Sequence, residues 1–382
     1  MGKKNEVTAS DPNRAGAESL DRMLRECVRA QASDLHLSMG RVPYLRIEGE
    51  LAPQAQLGTL TEECMESIVQ AITAHLDPGD LLKRAGSVDG SYSLRHGPRF
   101  RFNVFRCQGQ WSIAFRQLEE RFRSLEELGL PPTLYHFCDL RDGLVIVAGP
   151  SGAGKTTTMA TLLDYINRKR KARIITIEDP VEYLHTPILG VVDQRQVGID
   201  APSFNDALVS ALRQDADVIF VGESRDLNTI RTAITAADTG HLVFTTAHSG
   251  DVVGAIERML MPFTVEDQPS VRLQLAMVLR AVVVQHLLPA ADSAMWPAAE
   301  KTKEPPAPKR RVPACEIMVN TPAIAHCIAT GQSRQIPTFM EAGRSYGMQK
   351  FEQDVARLLA AQKISSATAA MATLKRSGRV SA

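Results

Sequence analysis

The rhythm of hydrophobic and polar positions changes along the chain, and the change divides it. Residues 1–15 are charged and small without periodicity, and read as a disordered tail. Leu20, Met23, Leu24 and Cys27 then recur at helical spacing and predict an amphipathic helix over about 17–31. Asp34-Leu35-His36-Leu37-Ser38 and Tyr44-Leu45-Arg46-Ile47-Glu48-Gly49-Glu50 alternate polar and apolar, which predicts two strands joined by a turn at 39–43. A helix near 61–76 and a strand pair at 90–105 and 110–115 complete an α+β block with mostly antiparallel strands. From Gly143 the alternation gives way to continuous apolar runs at 144–148, 173–177, 217–221 and 241–246, with helical segments between them. Such runs predict a parallel sheet covered on both faces, an α/β architecture.

The expected order is therefore a tail (1–15), an N-terminal domain (16–118), a linker (119–135) and an α/β domain (136–288). Pro289, Pro297, Pro305, Pro306, Pro308 and Pro313 among Ala, Lys and Glu make 289–313 a loop insertion, and 314–382 reads as mostly helical. A 44% hydrophobic and 23% charged composition is that of a soluble globular protein, and no apolar run approaches the roughly 20 residues of a membrane helix. The net charge of +1 offers no global field for nucleic acid, so no direct nucleic-acid partner is expected. The six cysteines lie far apart without a C-x-x-C pair, which argues against a zinc site or a disulfide scaffold. The N-terminus lacks the apolar core of a secretory signal.

Chemistry enters at Gly149-Pro150-Ser151-Gly152-Ala153-Gly154-Lys155-Thr156, which fits G-x-x-x-x-G-K-[ST] directly after an apolar strand and before a helix. Glycines let backbone N–H groups curl around phosphates, and the helix N-terminus adds partial positive charge. Lys155 is expected to reach the β- and γ-phosphates of ATP, Thr156 to ligate Mg²⁺, and Thr157 to line the same turn. The strand at 217–221 ends in Gly222-Glu223, where an open α/β sheet places its ligand, so Glu223 is the expected metal-side carboxylate. Glu178, Asp179 and Glu182 follow the strand at 173–177, and spacing alone does not choose among them. His241 and His248 bracket the strand at 241–246. At odd separation they would face opposite sides of a regular strand, and a satisfied polar residue at a strand end is the bland alternative for each.

Taken together these motifs resemble the secretion ATPase superfamily, most closely the PilT-type motors of the type IV pilus, over about residues 33–351. Ser33-Asp34-Leu35-His36-Leu37-Ser38 with Arg46-Ile47-Glu48-Gly49-Glu50 resembles the family's PAS-like N-terminal domain. Ile177-Glu178-Asp179-Pro180-Val181-Glu182 resembles its Asp box, 212–226 its Walker B region, 239–248 its His box, and Tyr346-Gly347-Met348-Gln349 a C-terminal G-M-Q element. The resemblance implies a PAS-like domain joined to a RecA-like P-loop domain, with Glu182 at the water or metal, Glu223 as Walker B acid, and His241 and His248 as nucleotide-sensing positions. It also implies Arg101 and Arg116, with Arg106 a weaker third, as arginines offered to a neighbouring subunit's nucleotide. The implied assembly is a cytoplasmic homohexamer, peripheral at an inner-membrane pilus or secretion platform, that powers twitching by ATP hydrolysis. Alternatives are a conjugation- or effector-secretion ATPase and a weakly active partner subunit of another motor. The chain departs from the family at Ala323-Ile324-Ala325-His326-Cys327-Ile328, where Ala-Ile-Arg-Asn-Leu-Ile is usual, and at Gln214 and Ser224. It also lacks the tetracysteine zinc element of the assembly branch.

Overall fold

A computed structural model describes residues 12–73, 86–95, 97–118, 121–291 and 311–376. Most of the tail expected at 1–15 and most of the insertion expected at 289–313 lie outside them. The chain divides into two units, Met1–Arg121 with Pro180–Tyr183, and Phe122–Asp179 with Leu184–Ala382.

The first unit opens on helix α1 (Pro12–Arg29), which starts earlier than the periodicity predicts and takes in residues 12–15. Proline is tolerated in a first helical turn because its missing N–H would find no partner there. Strands β1 (Asp34–Ser38), β2 (Tyr44–Ile47) and β3 (Glu50–Pro53) follow, so the expected single strand at 44–50 is two, broken by a turn at Glu48 and Gly49. Helix α2 (Glu62–Thr73) precedes β4 (Ser87–Ser93), β5 (Arg99–Cys107) and β6 (Gln110–Gln117). The sheet is antiparallel in the order β3-β2-β1-β6-β5-β4. Leu20, Met23, Leu24 and Cys27 of α1 meet Met65, Ile68 and Ile72 of α2 over Phe100, Phe102 and Phe115 of the sheet, all buried. Burying each such side chain contributes about 1.5–3 kcal/mol. This is the α+β block that the alternation predicts.

The second unit begins inside the stretch expected as linker. Helix α3 (Leu125–Leu128) carries a Ser124–Glu127 capping box, and Leu125, Leu130 and Leu134 are buried in the core. Short helix α4 (Tyr135–Cys138) leads to β7 (Gly143–Ala148) and helix α5 (Lys155–Lys169). Then come β8 (Arg173–Glu178), β9 (Val191–Gln196), α6 (Phe204–Ala211), β10 (Val218–Val221), α7 (Leu227–Asp238) and β11 (Leu242–Ala247). Helices α8 (Val252–Leu260) and α9 (Gln268–Val278) precede the antiparallel pair β12 (Leu279–Pro289) and β13 (Arg311–Val319). Helices α10 (Pro322–Ala329), α11 (Ile336–Ala342), α12 (Phe351–Ala360) and α13 (Ser366–Arg376) end the described chain. The C-terminal segment is therefore helical only after β13.

The seven-stranded sheet has the order β13-β12-β7-β11-β10-β8-β9. Its parallel inner strands β7, β10 and β11 are buried at every position, as continuous apolar runs require. The order sets β11 between β7 and β10 and brings the carboxyl ends of all three to one edge. Among the described residues no helix is long and apolar enough to cross a membrane.

Candidate functional site

The loop at 149–154 joins the buried β7 to α5. Gly154 is the N-cap of α5, with φ 87 and no side-chain cap. By contrast α6, α7 and α8 spend the side chains of Ser203, Asp226 and Asp251 on their own first-turn N–H groups. The N-terminus of α5 thus carries no capping side chain at Gly154, which suits an anion with the helix dipole behind it. A side chain at Gly154 would be strained by its left-handed backbone. Gly149, Ser151, Gly152 and Ala153 complete the loop, and Lys155, Thr156 and Thr157 form the first turn of the helix.

Lys155 Nζ donates to the carbonyls of Gly149 at 2.8 Å and Pro150 at 3.1 Å. Burial lowers its pKa, and the Glu223 carboxylate opposes that shift. Glu223 lies just past β10, ion-paired to Arg225, and His248 Nε2 is 3.2 Å from its Oε1. His248 follows β11, and its pKa is lowered first by burial and next by the Lys155 charge. The structure thus brings Lys155, Glu223 and His248 together from three adjacent strands, with Arg225 as a fourth charged group. Arg225 carried no assigned role in the sequence; its signal was its position two residues after the acid.

Mg²⁺ takes hard oxygen ligands and keeps several of them from water and phosphate. A Thr156 hydroxyl and a Glu223 carboxylate at this helix end suit that donor set. Among the described residues no group of three or more His, Cys, Asp or Glu could hold a metal ion.

The model of the type II/IV secretion system protein family matches residues 14–362. This chain belongs to that family. Within it, the chain is 36% identical over 334 residues to the type IV pilus retractation ATPase PilT of Pseudomonas aeruginosa, covering 87% of this chain and 92% of that one. The crystal structure of the pilus retraction motor PilT with bound ADP superposes with a TM-score of 0.81 at 35% identity, over 92% of this chain and 96% of that one. The Legionella pneumophila ATPase DotB shares the fold at a TM-score of 0.79 and 23% identity, over 98% of both chains.

Other site expectations for this secretion system protein fare differently. His241 precedes β11 at the edge of the sheet opposite the phosphate loop: Gly143 donates to its carbonyl, and its Nδ1 lies 3.0 Å from the Ala236 carbonyl. The six residues of β11 separate it from His248 by about 20 Å. His241, expected as a nucleotide-sensing position, thus lies a strand's length from His248 and is not among the residues gathered beside Lys155. Glu178 is buried, accepting from Thr176 at 2.7 Å and Gln194 at 3.2 Å, which makes it a sheet-bracing carboxylate. Glu182 belongs to the four residues grouped with the first unit, and its carbonyl accepts from Arg99 at 3.4 Å.

In the first unit, Arg101 stands opposite Arg116 in the β5–β6 register, so both side chains share the face away from Phe100 and Phe102. Asp89 holds Arg101 at 3.6 Å, and Asp34 holds Arg116 at 2.9 Å. The Arg116 side chain is 68% exposed, so its pairing leaves it accessible. Burial raises the pKa of Asp34, but hydrogen bonds from Ser33 and Arg116 outweigh that and leave it lowered overall. Arg106 lies over the Trp111 ring at 4.2 Å and donates to Gly109, which gives it a hairpin-bracing role. The strands join through Gln108 and Gly109, both at positive φ, the two-residue turn that fits the twist of a hairpin.

Proposed function

We propose that this chain is an ATP-hydrolysing motor subunit that works as a homohexamer on an inner-membrane pilus or secretion platform, with pilus retraction as its task. The observation carrying this reading is the meeting of Lys155, Glu223 and His248 beside an uncapped helix N-terminus at the centre of a parallel sheet. Phosphoryl transfer needs little covalent help from a protein; positioning and charge stabilisation supply most of it. Lys155 and the loop amides hold the phosphate chain, with Thr156 and Glu223 on the side of the Mg²⁺, which when bound offsets the charge of the phosphates. Glu182 and Glu223 orient the attacking water. His248, against Glu223, reports whether the γ-phosphate is present. Arg101 and Arg116 reach a neighbouring subunit's nucleotide, so that hydrolysis depends on assembly. The ADP-bound relative and the retraction relative support both halves of this reading.

Lys155→Ala is expected to abolish ATP turnover in a phosphate-release assay while leaving the circular dichroism spectrum unchanged; turnover at the wild-type rate would refute the site. In cells, deletion of the gene is expected to give excess surface pili without twitching. Normal pili with loss of a secreted protein would favour the effector-secretion alternative instead.

A further inference from the structure

We infer that Gln285 on β12 is a positioning residue of the phosphate cradle, acting by aiming the Gly154 amide. The inference rests on the reading of 149–156 as a nucleotide site. β12 runs parallel beside β7 with Val284 level with Ala148, so Gln285 stands beside the start of the phosphate loop. Its side chain is buried, and both ends of its amide are engaged. Nε2 donates to the Ala153 carbonyl at 2.7 Å, and Oε1 accepts from the Thr158 hydroxyl at 2.7 Å. A carbonyl oxygen can only accept, so the NH₂ end must face Ala153 and the orientation of the amide is dictated by chemistry.

The Ala153 carbonyl and the Gly154 N–H belong to one planar trans peptide, in which the two point in opposite directions. Gripping the carbonyl from the β12 side therefore turns the N–H away from β12, and the hydrogen bond polarises the peptide so that this N–H donates more strongly. Gly154 needs such a grip. Its left-handed conformation has no Cβ to restrict it, and without an anchor the first donor of α5 would sample several directions. Thr158 in turn fixes the amide from the first turn of the same helix, so loop, helix and strand lock as one piece.

Glycine placement supports the same reading. A Cβ on Gly149 would lie 2.4 Å from the Gln285 carbonyl oxygen, and one on Gly154 would lie 2.9 Å from Nε2. The β12 backbone thus excludes a side chain at Gly149, and one at Gly154 would push the Gln285 amide from its place.

The test is titration of a fluorescent ADP analogue into the full chain carrying Gln285→Glu, Gln285→Met or Thr158→Val, with melting of the nucleotide-free proteins and steady-state ATPase kinetics alongside. Gln285→Glu, which sets an acceptor against the Ala153 carbonyl, and Gln285→Met, which removes both bonds, are expected to raise Kd and KM about tenfold or more. Thr158→Val, which only loosens the amide, is expected to raise them about threefold. Each Gln285 variant leaves buried polar groups unpaired and is expected to melt lower, so binding is measured well below every melting temperature, where all variants are folded, and Thr158→Val decides the matter if a Gln285 variant does not fold. Unchanged Kd in the folded variants, or a loss that merely follows a lowered melting temperature, overturns the inference. Failure of the wild-type chain to bind the analogue overturns the nucleotide reading instead.

Discussion

His185 is buried with its Nδ1 lacking a hydrogen bond, and its ring lies 4.6 Å from that of Phe122. Burial pushes its pKa down to about 4, against a smaller upward pull from Asp164. The unfolded chain protonates this imidazole near pH 6.5 while the folded chain resists until about 4. Stability is therefore fully present above pH 6.5 and falls through that window, by up to about 3 kcal/mol. His185→Phe is expected to flatten the pH dependence of the urea midpoint between pH 6.5 and 4; an unchanged slope would show that other groups set it. At this scale, what the sequence disclosed depended on distance along the chain. The eight residues of the phosphate loop are contiguous and stand between an apolar strand and a helix, so their chemistry was legible. Gln285 reaches Ala153 across 132 positions, and no local pattern marks a glutamine inside an apolar run as a partner of a loop. His241 and His248 flank one strand, and the six residues of β11 between them set them at opposite ends of it.

Among the elements, α13 is held to the sheet by an unusual anchor. Arg376 pairs with Glu316 of β13 and lies 4.7 Å from the Phe351 ring of α12. Glu316 is buried and also accepts from the Val252 N–H at 3.1 Å, at the first turn of α8. Burial raises its pKa, with Arg376 as the opposing influence. Removing one partner leaves a buried carboxylate uncompensated, so Arg376→Ala is expected to cost about 3 kcal/mol in urea denaturation. Adding Glu316→Met to that variant should restore most of the loss, and failure of the double variant to recover would place the cost in packing on Phe351. The inner strands β7, β8, β10 and β11 were readable because burial on both faces forces continuous apolar runs. Strand β9 was not: as an edge strand it carries Asp193, Gln194, Arg195 and Gln196, and polar residues keep such edges from pairing with other chains. Strand β12 opens with the short apolar run at 281–284 directly after a helix, which periodicity does not distinguish from more helix. Strand β13 lay next to prolines that read as loop.

For the whole molecule, the proposed assembly makes catalysis a collective property. Specific ATPase activity should rise with protein concentration across the range in which sedimentation shows rings forming, and a flat dilution series would count against shared sites. Arg116→Ala is expected to lower kcat about 10³-fold or more with little change in ADP affinity, because an arginine finger acts on the transition state. Removing the guanidinium leaves the buried Asp34 carboxylate with the Ser33 hydroxyl as a donor at 2.7 Å, so the variant is expected to lose some stability, and its melting temperature is measured beside its kcat. Arg116→Lys should not rescue, lacking the planar fork of the guanidinium. Both arginines owe their common face to the two-residue turn at Gln108 and Gly109. Strand side chains alternate with a period of two, so one residue added there must be absorbed as a bulge. Otherwise every position of β6 turns over, carrying Arg116 toward the core and Phe115 into water. On the proposed role of these arginines, the length of this hairpin is tied to the catalysis, and insertions tolerated there over evolution should come in pairs or bring a bulge with them.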